Sequence, residues 1–145
     1  MLAQGRVQVD GAAAQAVNQV VGEFTHIRVD EQILQHRLPR YLMMNKPKGV
    51  VSATRDEQHK TVIDLLDEPN TEDLHLVGRL DFNSTGLVLL TNDGRWSRLL
   101  GGAETTVIKH YRVGLEKPVT QEYVDAFAEG MYFPYENITT RPVHL

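Results

Sequence analysis

The sequence predicts an α+β fold with a mixed, mainly antiparallel sheet and flanking helices. Three observations lead there. Short strand signals outnumber helical ones, the helical stretches interrupt them without a regular βαβ rhythm, and one uninterrupted apolar run at residues 87–91 suits a strand buried on both faces. With 145 residues, 41% hydrophobic and 23% charged, the chain is large enough to build a core and is not compositionally disordered.

Residues 5–11 alternate apolar and polar and end on Asp10-Gly11, a strand followed by a turn. A second short strand is expected at 25–29, while the Ala/Val-rich stretch 12–21 shows no clear period. The polar stretch 32–39, with His36, Arg37 and Pro39, reads as a linker into a second unit. The predicted division is therefore 1–37 and 38–145. Residues 41–44 and 50–53 read as two strands joined through the turn Lys46-Pro47-Lys48-Gly49, a hairpin. Thr61 and Asp64, three apart before Leu65-Leu66, form a capping-box-like helix start. Strands follow at 74–77 and 87–91, the latter bounded by Gly86 and Asn92-Asp93-Gly94. A short helix is expected at 95–100, stopped by Gly101-Gly102, and a strand at 109–115. Thr120 caps a helix that stops at Gly130, and strands at 131–133 and 138–143 end the chain.

Charge narrows the chemistry. The net charge of −4 argues by itself against a nucleic-acid binder. Its distribution argues otherwise, because residues 38–60 carry five cations against two carboxylates and residues 78–112 five against three. There is no cysteine, which excludes thiolate zinc sites and a Cys nucleophile. The six histidines lack ligand spacing, no Gly-x-Ser-x-Gly or phosphate-binding Gly-rich loop occurs, and no apolar run approaches the ~20 residues of a membrane span. With nothing like a secretory leader near Met1, the cytoplasm is the default compartment.

The densest polar cluster is Gly78-Arg79-Leu80-Asp81-Phe82-Asn83-Ser84-Thr85-Gly86, between two apolar strands. Arg79 and Asp81, two apart in an extended loop, can point to one side and pair, which would keep the carboxylate ionised as a nucleophile requires. The plainer reading is an Asp that caps the turn through the Ser84 or Thr85 amides with an Arg bracing it, and spacing alone favours that one. Asn45, Lys46 and Lys48 sit on a stiff turn suited to phosphate contact, or form an ordinary solvated tip. Lys109, His110, Tyr111 and Arg112 interleave an aromatic with cations, suited to a nucleobase or to plain strand packing.

Three stretches taken together, Asn45 to Gly49, Gly78 through Gly94, and Lys109-His110-Tyr111, resemble the pseudouridine synthases that modify ribosomal RNA. The resemblance spans residues 40–145, and Leu65-Leu66-Asp67-Glu68-Pro69 with Trp96 is closest to the small-subunit (16S) branch. Residues 5–11 and 29–34 resemble the tail of the S4-like RNA-binding domain that precedes the catalytic domain in that branch. The resemblance implies an isomerase that flips a uridine out of the RNA. Asp81 would open the glycosidic bond, by attack at C1′ or by taking the 2′ proton. Tyr111 would stack on the uracil, and Arg79 would orient Asp81 or hold a phosphate. Asn45, Lys46, Lys48, Lys109 and Arg112 would contact RNA, with no cofactor and no metal. The implied partner is small-subunit ribosomal RNA or an assembling ribosomal particle, not a membrane, and the full-length protein would be a monomer. The family's C-terminal strands with their Gly-x-x-His-Gln-Val-Lys-Arg-type segment, and the first helices of an S4-like domain, have no counterpart in these residues. The expectation is a middle piece, inactive or very weak alone, whose net charge reflects the missing basic ends. The alternative is a non-catalytic RNA-binding or assembly module.

Overall fold

The computed structural model describes residues 2–102 and 105–145. It divides into two compact units, Met1–Val107 and Ile108–Leu145, and is α+β with antiparallel strand pairing, as the sequence predicts.

The first unit holds two sheets. Strands β1 (Val7–Val9), β2 (Ala12–Ala13), β3 (Ile27–Val29) and β4 (Gln32–Gln35) form an antiparallel sheet in the order β2-β1-β3-β4. Asp10 and Gly11, at φ 51° and 83°, make the tight turn between β1 and β2 that Asp-Gly favours. The expected linker at 32–39 is partly wrong, because Gln32–Gln35 is a strand. A turn at Asp30 folds it back on β3, and the Gln35 side-chain amide donates to the carbonyls of Gly22, Glu23 and Thr25. Local polarity hid a strand that is mostly exposed.

The second sheet places β7 (Gly86–Thr91) between β5 (Tyr41–Lys46) and β6 (His75–Val77), all antiparallel. β7 is thus the central strand its apolar run predicts. The expected hairpin of 41–44 with 50–53 does not form. β5 pairs instead with β7, Leu42 opposite Leu90 and Met44 opposite Val88, while Val51 makes only an isolated parallel bridge to Thr61. Apolar cross-strand pairs along six residues of β7 outweigh a short local turn.

Val50, Val62, Val88 and Leu90 are buried in the core on one face of this sheet, with Leu42, Met44, Ile63, Leu66, Leu76 and Leu80 packed against them. Near the opposite face lies α1 (Gly94–Gly101), whose Trp96 ring sits 5.0 Å from that of Tyr41. Asp93 caps α1 by accepting from the Arg95 and Trp96 amides. The capping box at Thr61 and Asp64 is present, with the Thr61 amide donating to the Asp64 carboxylate at 2.8 Å and the Asp64 amide to the Thr61 hydroxyl at 3.3 Å. It opens a single 3₁₀ turn, Ile63–Leu65.

The second unit contains α2 (Gln121–Glu129) and the hairpin of β8 (Tyr132–Phe133) with β9 (Ile138–Thr139). Thr120 precedes α2 in extended conformation but makes no side-chain cap bond, and Gly130 ends it at φ 91°. Residues 109–115 are not a strand. All seven are exposed and irregular, with no pairing partner among the described residues. No helix among the described residues is long and apolar enough to cross a membrane.

Candidate active site

The loop joining β6 to β7 carries the polar cluster of residues 78–85, and its backbone is held at successive points. The Leu80 side chain packs against the core. Its amide donates to the Ser52 hydroxyl at 3.1 Å, and its carbonyl accepts from the same hydroxyl at 2.6 Å. The Phe82 carbonyl accepts from the Gly49 amide at 2.9 Å and, more distantly, from the Lys46 ammonium at 3.5 Å. The Ser84 amide closes a turn onto the Asp81 carbonyl at 3.0 Å. Asp81 therefore sits between two residues whose main chains are fixed by the segment 46–52.

The Asp81 carboxylate is exposed and takes part in no hydrogen bond or ion pair within the described residues. Neither expected pairing occurs: Arg79 does not reach it, and the turn is closed by the Asp81 backbone carbonyl instead of its side chain. Arg79 is exposed as well. An unengaged carboxylate on a rigid, solvent-facing loop keeps its lone pairs available for a reacting atom.

Lys46 stands elsewhere than an RNA contact requires. At 0% exposure it is wholly buried, and its ammonium donates to the carbonyls of Val50 at 2.7 Å and Pro47 at 3.0 Å. The sequence carried a signal for this, because strict alternation places Lys46 on the same face of β5 as Leu42 and Met44. Asn45, on the other face, is exposed, and so is Lys48 on the turn whose Gly49 holds Phe82. Lys109, Tyr111 and Arg112 belong to the second unit and are all exposed, Tyr111 at 68%.

Residues that sequence reasoning passed over include Ser52, Phe82 and His59. Ser52, 7% exposed, follows buried Val50 at strand spacing, which is the signal that marks it as inward-facing. Phe82 adjoins Asp81, and its ring meets that of His59 edge-on at 5.0 Å. Asp56 braces this contact by accepting from the Gln58 and His59 amides, which hold its carboxyl below the usual range. Among the described residues no group of three or more His, Asp or Glu is gathered as a metal would need.

The family model for RNA pseudouridylate synthase matches residues 40–131. The chain is similar to the ribosomal small subunit pseudouridine synthase A of Pseudomonas aeruginosa, 48% identical over 100% of this chain and 64% of that protein. It is 40% identical to the protein of the same name from Escherichia coli K12, over 97% of this chain and 61% of that one. A crystal structure of a pseudouridylate synthase superposes with a TM-score of 0.61 at 29% identity, over 99% of this chain and 62% of the other. The chain thus spans about three fifths of the length of these relatives.

Proposed function

Since the chain belongs to the RNA pseudouridylate synthase family, we propose that it acts in isomerising a uridine of small-subunit ribosomal RNA to pseudouridine, with Asp81 as the catalytic carboxylate. The relatives named for the ribosomal small subunit support that choice of substrate. The single observation that carries the chemistry is the exposed, unengaged Asp81 carboxylate on a loop pinned at Leu80 and Phe82.

A uridine cannot offer its C1′ or C5 inside a stacked helix, so it is flipped out to meet the loop. Asp81 opens the glycosidic bond, by attack at C1′ or by removal of the 2′ proton, and the uracil turns and rejoins C1′ through C5. Asp81 is then displaced or the 2′ proton returned, the C5 proton is released and N1 gains one, without a cofactor or metal. Tyr111 stacks on the base. Arg79, not engaged with Asp81, is available to hold a phosphate, together with Asn45, Lys48, Lys109 and Arg112. Lys46 braces the loop from the interior and does not contact RNA. In this reading residues 38–145 belong to the catalytic domain, and the four-stranded sheet within residues 1–37 is the tail of an S4-like RNA-binding module. The partner is small-subunit ribosomal RNA or its assembling particle in the cytoplasm, met by a monomer.

A gel shift with small-subunit ribosomal RNA, run beside tritium release from 5-tritiated uridine in the same RNA, tests the proposal. Binding with release supports it. Binding without release by the protein carrying these residues favours a non-catalytic RNA-binding module.

A further inference from the structure

The proposed reaction requires the Asp81 carboxylate to be held close to its productive place, yet no side chain among the described residues holds it directly. Its position is set through the main chain. Leu80, the residue before it, is fixed twice: its side chain is packed in the core, and both its amide and its carbonyl are bonded to one hydroxyl, that of Ser52. A hydroxyl is well suited to this because it donates and accepts at once, whereas an apolar side chain of the same size would leave both Leu80 groups without a partner. Ser52 is 7% exposed, so water does not readily take its place. Asp81, the next residue along the loop, is exposed.

Resting on the catalytic reading of Asp81, we propose that Ser52 is a positioning residue for the reaction: it sets the direction of the Asp81 carboxylate by clamping the Leu80 peptide groups, and does not touch RNA itself. A residue with this role affects the rate of the chemical step and leaves substrate binding alone.

The test compares wild type, Ser52→Ala, Ser52→Thr and Asp81→Asn in single-turnover tritium release, with RNA affinity measured in parallel. S52A is expected to bind RNA within about twofold of wild type and to lose about 10–100-fold in rate, the scale of a small misplacement of a catalytic group. S52T, which retains the hydroxyl, is expected to recover most of that rate. A folded S52A that turns over as fast as wild type, or that loses binding as much as rate, overturns the proposal. Retained turnover in D81N overturns the catalytic reading instead, so the two failures are distinguishable. Should S52A not fold, amide exchange in wild type decides. Protection of the Leu80 amide well above that of Asp81 supports the clamp, and equal exchange overturns it.

Discussion

The ammonium of Lys46 lies 2.7 Å from the carbonyl of Val50, four residues on, in a wholly buried position. The same nitrogen reaches Pro47 and, at 3.5 Å, Phe82, so one buried cation ties the turn after β5 to the loop carrying Asp81. Burying a charge is costly unless it is well bonded, and three carbonyl oxygens supply that compensation here.

Replacing Lys46 with Met keeps the apolar stem but leaves the Val50 and Pro47 carbonyls without this donor, while the Phe82 carbonyl keeps the Gly49 amide. Each unsatisfied buried group costs about 1–3 kcal/mol, so K46M is expected to lose ~2–4 kcal/mol in urea unfolding. RNA affinity should change little. A large loss of affinity with unchanged stability would instead mean that Lys46 contacts the RNA.

Asn92 is a second buried tie, 3% exposed. Its amide donates to the Leu38 carbonyl and to Asp73, and its oxygen accepts from the Arg40 amide. These bonds fasten the connection between the two sheets of the first unit onto the end of β7. Asn92→Ala is expected to cost about 2 kcal/mol and to raise proteolytic cleavage around residues 36–39. Unchanged cleavage there would show that the connection is held by other contacts.

Two glycines with positive φ should respond differently to a methyl group. At Gly49, φ 80°, an added Cβ meets nothing within 4 Å, so Gly49→Ala carries only the left-handed backbone penalty of about 1–2 kcal/mol. At Gly130, φ 91°, the Cβ would lie 2.5 Å from the Thr140 carbonyl oxygen, and the second unit must shift to admit it. Thermal melts should show G130A clearly more destabilised than G49A. Equal shifts would contradict this packing around α2.

Acid sensitivity follows from Asp64, Asp73 and Asp93, all held below the ordinary 3.8. The leading causes are the Thr61 amide for Asp64, the Asn92 side chain for Asp73 and the Trp96 amide for Asp93. A depressed folded value gives stability that is complete above 3.8 and lost as pH falls through the lower folded values. Melting temperature should therefore fall as pH drops below 3.8, and Asp64→Asn should be less stable at neutral pH with a shallower acid decline. Parallel curves for wild type and D64N would contradict the capping role.

Much of this was legible locally. The run at 87–91 announced β7, Gly101-Gly102 marked the end of α1, and Thr61 with Asp64 announced their reciprocal bonds. The pairing of β5 was not, because its partner lies some forty residues on and nothing in the turn at 46–49 encodes a distant strand. β4 was hidden by its exposure, and residues 109–115 have strand-like composition without a partner strand among the described residues. At the site, the sequence singles out Asp81 as a candidate, but the clamps around it depend on Ser52 and Lys46 facing inward. Only the period-two spacing of the sequence, Lys46 after Leu42 and Met44 and Ser52 after Val50, hints at that.

Whether the Asp81 carboxylate performs the proposed chemistry is tested most directly by Asp81→Asn, because Asn preserves size and fold while removing the nucleophilic oxygen. In tritium release from 5-tritiated uridine in small-subunit ribosomal RNA, D81N is predicted to bind RNA normally and to lose about three orders of magnitude or more in rate. Turnover by a folded D81N at a rate near that of wild type would contradict the account.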